Sequence, residues 1–77
     1  SRLSIDILVE ILKDGDCHSI DEMLAGLRVP EEKLLLALHF LAEYSIAEFA
    51  EEWREARITP RVKTWLESLA EAEAQSS

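Results

Sequence analysis

Hydrophobic and polar residues alternate with helical spacing along most of this chain, most clearly in the segment VPEEKLLLALHFLAEYSI. Pro30 suits the first turn of a helix because its φ angle is already fixed, and the helix dipole favours the glutamates that follow it. At about 100° per residue, five apolar side chains fall on one face of this helix: Leu34, Ala37, Leu38, Leu41 and Tyr44. We expect this face to be buried in the core.

The outer face of the same helix carries two further leucines, Leu35 and Leu36, together with His39 and Glu43. An exposed apolar patch on a small domain usually marks a contact surface for another protein or for a second copy of the chain. The alternative is that another part of the same domain covers these leucines. We favour the contact surface, and Phe40 is a further candidate for it.

Two shorter helices are predicted before this segment. Residues 3–13 form the first, which ends at Asp14-Gly15 with Gly15 in the left-handed conformation. Its core positions are four apolar residues: Ile7, Leu8, Ile11 and Leu12. Its apolar arc is wide, which indicates a helix contacted from several sides or, alternatively, an oligomer contact through Leu3 and Val9.

Residues 16–19 are interpreted as an extended connector that leads into the second helix. Ser19 and Glu22 have the spacing of a capping box, which satisfies free backbone N–H groups at a helix start. The buried face of this helix carries four residues: Ile20, Met23, Leu24 and Leu27. A tight turn over residues 26–29 then leads to Pro30, so the second and third helices form a helix-turn-helix.

After Tyr44 the hydrophobic period shortens to that of strands, over the segments IAEFAEE and WREARIT. We interpret these segments as a β-hairpin that turns near Glu51-Glu52. The turn contains no Gly or Asn, which favours a loop of several residues with a type I turn. Thr59-Pro60 predicts the start of a last helix, with Thr59 as the N-cap. Its apolar face carries Val62, Trp65, Leu66 and Leu69.

Length and composition fit one domain over residues 1–77, ordered at about residues 3–70, with a tail at 71–77 that we expect to fray. The chain has 16 acidic and 8 basic residues, a net charge of −8, and no segment is basic. Tight binding to DNA or RNA depends largely on cations that neutralise phosphates, so this balance disfavours it. No apolar run approaches the ~18 residues needed to cross a bilayer, and we expect no membrane partner.

Candidate catalytic or metal-binding residues are sparse. Cys17, His18 and the distant His39 are too few for a zinc site, and no glycine-rich phosphate loop is present. We therefore expect a protein that is not an enzyme, with no cofactor, no metal and no small-molecule substrate. The lone Cys17 and an N-terminal segment unlike a signal peptide favour an intracellular setting, in the cytoplasm or on the nucleoid.

The order helix, short strand, helix, turn, helix, hairpin, helix resembles a winged helix-turn-helix domain of small archaeal and bacterial transcription regulators. The segment VPEEKLLLALHFLAEYSIAEF resembles that family's third helix and first wing strand. The segment RITPRVKTWLESL resembles the passage from the wing into the last helix. The resemblance covers about residues 3–70 and implies a mainly α fold with a small β-hairpin, built from a three-helix bundle, a wing and a C-terminal helix.

The resemblance also implies that the third helix lies in the DNA major groove, with the wing on the backbone or minor groove. This chain departs from that pattern, because the positions that would face the groove carry one lysine and one histidine beside three glutamates and two leucines: Glu31, Glu32, Lys33, Leu35, Leu36, His39 and Glu43. We therefore expect a transcription- or chromosome-associated module that acts through protein contacts or self-association. Its interface would have an apolar centre and a charged rim: Leu35, Leu36 and His39, with Glu32, Lys33 and Glu43.

The alternative function is that of a sequence-specific DNA-binding regulator. It would use five basic residues: Lys33, Arg54, Arg57, Arg61 and Lys63. For the last four we favour ion pairs with hairpin glutamates, namely Glu48, Glu51, Glu52 and Glu55. Trp53 and Trp65 are expected in the core. The resemblance adds a second possible dimer surface on the last helix, at Trp65 or Leu69.

Overall fold

Four helices and a three-stranded antiparallel sheet make up residues 3–76, the part of the chain that the computed structural model describes. The elements follow in this order: α1 (Ile5–Leu12), β1 (His18–Ser19), α2 (Ile20–Leu27), α3 (Glu31–Glu43), β2 (Ala47–Ala50), β3 (Glu55–Ile58) and α4 (Pro60–Ser76). The predicted helices and the hairpin are thus present, within a mainly helical fold.

The helix ends form as their local sequences require. At the start of α2 the Ser19 hydroxyl oxygen accepts a hydrogen bond from the backbone N–H of Glu22 at 3.3 Å, as the capping box predicts. Gly15 has a φ of 85° after α1, which confirms the predicted left-handed position. Arg28 ends α2 in the same region of φ and donates its N–H to the carbonyl of Leu24. The Arg28 cap begins the tight turn that leads from α2 to α3.

The sheet has the order β1-β3-β2, so β3 pairs on both sides. Ala56 in the middle of β3 lies opposite His18 of β1 and Phe49 of β2. The last two residues of the predicted extended connector, which is also the short strand in the predicted order, form an edge strand. This pairing fixes the hairpin formed by β2, β3 and residues 51–54 to the loop that follows α1.

The core is apolar and lies between the helices and the inner face of the sheet. Among the residues that the structure describes, it consists of eleven buried residues: Leu8, Leu12, Ile20, Met23, Val29, Leu34, Leu38, Leu41, Ala47, Ala56 and Ile58. The predicted stripe of α3 is confirmed for its three leucines but is wrong for Tyr44, which is exposed because the helix ends at Glu43. Ile7 was also expected in the core and is exposed, because α1 contacts β3 along the side that carries Leu8 and Leu12.

The last helix, α4, packs along one narrow side only. Val62 and Leu66 are half-buried against the core, whereas Trp65 is 60% exposed, so its expected place in the core is wrong. Every side chain from Glu67 to Gln75 is exposed, yet the helix continues to Ser76 through the segment predicted to fray. The final residue of that predicted tail, Ser77, lies outside the described residues.

Thr59 lies directly before α4, in the predicted N-cap position, but its hydroxyl donates to residues between α3 and the hairpin. Its single hydroxyl proton is shared between the carbonyls of Ser45 and Ile46, at 2.9 and 3.3 Å. The backbone N–H of Thr59 also donates to Ile46 at 3.0 Å. Thr59 therefore closes the base of the hairpin and joins it to the end of α3.

Across residues 3–76, none of the helices combines the length and apolar character that a membrane span requires.

Candidate interaction surface

The two outer leucines of α3 have different surroundings. Leu35 is half-buried and packs against the core, on the side of the helix that faces the hairpin. Leu36 is 66% exposed. Consecutive helical residues point about 100° apart, so a neighbour that covers one of the two leaves the other open. Of the two leucines in the predicted apolar centre, Leu36 is therefore the more accessible to a partner.

Leu36 belongs to a row of exposed apolar side chains that we call the α3 strip: Leu36, Phe40 and Tyr44. All three are exposed, and the rings of Phe40 and Tyr44 are in contact, with centroids 4.9 Å apart. The spacing of four residues places Leu36 and Phe40 in one row along the helix, and Tyr44 continues the row at the residue that caps its end. Phe40 was only a further candidate, and Tyr44 was assigned to the core. The spacing was the signal that could have grouped them.

The hairpin reaches α3 through an unusual turn. Glu51, Glu52 and Trp53 all have positive φ angles, of 52°, 54° and 73°. The N–H of Arg54 donates to the carbonyl of Glu51 at 3.1 Å, which closes a four-residue turn. The predicted loop of several residues is confirmed, but the predicted type I turn is wrong, because its central residues have negative φ angles. A turn whose central residues have positive φ angles fits the right-handed twist of the two strands better than a type I turn does.

Three rings join the tip of the hairpin to α3, and we call them the ring cluster: His39, Phe49 and Trp53. The His39 ring lies 4.9 Å from Phe49 and 5.4 Å from Trp53, with an interplanar angle of 27° to the latter. The rings of Phe49 and Trp53 are 4.6 Å apart. His39 is thus engaged by the hairpin of its own domain. Trp53 is nevertheless 61% exposed, so the expectation that it lies in the core is wrong.

Open clefts lie on both sides of the ring cluster. The larger, about 700 Å³, separates α3 from the hairpin, and we call it the hairpin groove. The ring cluster forms its apolar wall, and four carboxylates line it: Glu43, Glu48, Glu51 and Glu52. The smaller cleft, about 570 Å³, lies towards α2. It is lined by Leu35, Asp21, Glu31 and Arg54, together with His39 and Trp53 of the ring cluster.

The basic residues proposed for phosphate contacts differ in their ion pairs. Arg57 pairs with Glu48 across the hairpin, at 2.9 Å, as expected. Lys63 pairs with Glu67 of its own helix at 2.6 Å, not with a hairpin glutamate, and the hydrogen bond to Glu67 raises the pKa of Lys63. Among residues 3–76, Arg54 and Arg61 have no ion pair, so their expected pairing is wrong.

The predicted rim residues and the second predicted dimer surface are all accessible. On α3, Glu32, Lys33 and Glu43 are exposed. On α4, Trp65 and Leu69 are exposed one helical turn apart. These positions are open to a partner, and Glu43 also lines the hairpin groove.

Cys17 and His18 precede α2, and His39 lies on α3. Cys17 is exposed. The His18 ring is hydrogen-bonded to the carboxylate of Asp14 at 2.9 Å, and this bond, with one from the N–H of Asp16, lowers the pKa of Asp14. Within residues 3–76, no three His, Cys, Asp or Glu side chains lie close enough together to hold a metal ion.

Comparison of this chain with protein-family models, with curated proteins and with solved structures finds no match. The exposed residues of α3 and the hairpin are therefore the basis of the function proposed below.

Proposed function

We propose that this chain is a winged-helix module, associated with transcription or the chromosome, that acts through protein contacts of α3. The observation that carries the proposal is the α3 strip, a row of exposed apolar side chains on the helix that resembles a recognition helix. The order of helices and strands, with a hairpin between α3 and α4, supports the winged-helix interpretation.

The α3 strip has the chemistry of a protein contact. Fully burying a large apolar side chain contributes roughly 1.5–3 kcal/mol, and Leu36 has about two thirds of its surface left to bury. Phe40 and Tyr44 add ring surface, and aromatic residues are enriched at protein interfaces. The rim of Glu32, Lys33 and Glu43 supplies charges that fix the orientation of a partner.

DNA binding remains the alternative because Lys33, Arg54 and Arg61 have no ion-pair partner among residues 3–76 and are exposed. Two features oppose it. The net charge is −8, and Glu31, Glu32 and Glu43 lie on the helix that would approach the phosphates. Each such carboxylate repels a phosphate.

Two measurements test the proposal: sedimentation of the free chain and duplex binding by fluorescence anisotropy at moderate salt. We expect no duplex binding. We expect any self-association to be lost in Leu36→Glu and kept in Trp65→Glu, a matched control because Trp65 is a similarly exposed apolar residue on α4. If the free chain is a monomer, a photocrosslinker at position 36, but not at position 65, should capture one defined protein partner.

Duplex binding in the micromolar range with a steep salt dependence, weakened by Lys33→Ala or Arg54→Ala, would overturn the proposal in favour of a DNA-binding regulator. Loss of self-association in Trp65→Glu alone would move the interface to α4.

A further inference from the structure

We propose that the hairpin groove binds an arginine side chain of a basic peptide segment, with the guanidinium stacked on Trp53 and paired with groove carboxylates. This inference deepens the proposed function and rests on it only in taking the partner to be a protein. It concerns residues outside the α3 strip, so the two sites can be tested separately.

The first support is the accessible indole of Trp53. It stacks on His39, with ring centroids 5.4 Å apart, and makes a tilted contact with the Phe49 ring, with centroids 4.6 Å apart. The residue is still 61% exposed, so much of the ring surface is free. The face of an indole attracts cations more strongly than any other side-chain ring, and guanidinium groups are the commonest cations found there.

The second support is the charge around that ring. Glu43, Glu51 and Glu52 line the hairpin groove, and none of them has an ion-pair partner among residues 3–76. Glu48, the fourth carboxylate, is already paired with Arg57. An aromatic wall beside three unpaired carboxylates is complementary to a cation that has a flat face and several N–H donors.

Arginine fits this description better than lysine. Its planar guanidinium can stack on a ring and donate two parallel hydrogen bonds to one carboxylate, whereas an ammonium is a compact, strongly hydrated point charge. The volume of about 700 Å³ and the open shape of the groove suit a side chain delivered by an extended segment.

Other occupants are opposed by charge. A nucleic acid would bring phosphates towards the groove glutamates. A second copy of this chain would bring a net charge of −8 against −8. A basic segment of a different protein is attracted both at the groove and by the charge of the whole chain.

The experiment uses tryptophan fluorescence. The chain has two tryptophans, so Trp65→Phe leaves Trp53 as the only reporter. The probes are three capped peptides of identical Gly/Ser sequence that carry arginine, lysine or citrulline at the same positions. Citrulline keeps the shape of arginine and removes its charge.

We expect the arginine peptide to change Trp53 fluorescence in a saturable, salt-sensitive way. The lysine peptide should bind more weakly, and the citrulline peptide should not bind. Calorimetry with the chain that retains Trp65 should show affinity reduced about tenfold or more by Trp53→Ala and reduced also by Glu51→Gln with Glu52→Gln. Trp65→Ala should leave it unchanged, and far-UV circular dichroism should verify that each variant is folded.

Equal binding of the arginine and citrulline peptides, or equal effects of Trp53→Ala and Trp65→Ala, would overturn the inference. So would a fluorescence change that depends on the concentration of the chain alone, since the occupant would then be a second copy. Leu36→Glu should not affect peptide binding, so a failure of the α3 strip and a failure of the hairpin groove give different results.

Discussion

The turn at the tip of the hairpin allows a sharp test of the structure through Glu52→Gly. Glu52 has a φ of 54°, and it has no ion-pair partner among residues 3–76 that the substitution would remove. A left-handed conformation costs a residue with a Cβ roughly 1–2 kcal/mol. Glycine has no Cβ and so avoids that strain, but its greater loss of backbone entropy on folding costs roughly 0.5–1 kcal/mol. The net expectation is a gain of about 0.5–1 kcal/mol in the free energy of unfolding.

Glu52→Ala is the matched control for this prediction. Both variants remove the same carboxylate, so the relief of repulsion in an acidic chain is common to them. Only glycine relieves the left-handed strain. The assay is urea denaturation followed by far-UV circular dichroism, with thermal melts in parallel. For a domain of this size about 0.5–1 kcal/mol corresponds to roughly 2–8 °C in the melting temperature. If the alanine variant is as stable as the glycine variant, residue 52 does not have a positive φ angle, and the turn does not have the conformation described above.

Three further predictions concern the loops and helix ends. Gly26→Ala should stabilise the fold by about 0.5–1 kcal/mol, since it lies in α2 and nothing lies within 4 Å of an added Cβ. Gly15→Ala should destabilise it by about 1–2 kcal/mol, because φ is +85° and the new Cβ would meet the Lys63 side chain at 2.6 Å; thermal melts of the two alanine variants should shift in opposite directions. Asp14→Asn should lower stability at neutral pH, because the hydrogen bond with His18 lowers the pKa of Asp14 in the folded state. That contribution is present above the unfolded pKa, near 3.8, and is lost as the pH falls through the lower folded value; a difference in urea midpoint that stays constant down to acid pH would contradict this.

The helical framework was predictable because its signals are local. The three core leucines of α3 repeat with one period over the whole helix, and Ser19 lies three residues before its capping partner. The hairpin was recognisable from the change of period after Tyr44 and from Thr59-Pro60, which follows it. Each of these features depends on residues within a few positions of one another, where backbone geometry alone decides which side chains share a face.

The candidate surface was only partly predictable, because it depends on where separate elements meet. Leu35 and Leu36 look equivalent in the sequence, and only the position of the hairpin makes one half-buried and the other exposed. The turn of three left-handed residues contains no glycine, so its handedness and the exposure of Trp53 had no sequence signal. Trp65 lies on an apolar helix face, but the core is too narrow to cover more than Val62 and Leu66.

The ion pairs of the hairpin also depend on how separate strands meet. Glu48 lies directly opposite Arg57 in the register of β2 and β3, which brings their side chains together. A turn one residue longer or shorter would change that register and place other charges opposite each other. The sequence identified the two groups of charges, but the pairing between them follows from the length of the turn.

The central position of β3 also has a consequence for the order in which the chain folds. The hairpin closes over residues 51–54 alone, whereas β1 reaches β3 only by closing a loop that contains α2, α3 and β2. Loop closure is slower for distant pairs, so we expect the hairpin to form early and β1 to dock last. Native-state hydrogen exchange should then show the amides that join β1 to β3 opening at lower free energy than those that join β2 to β3. The pairing of His18 and Ser19 with β3 would then be the last contact to form between the segment that follows the first helix and the rest of the domain.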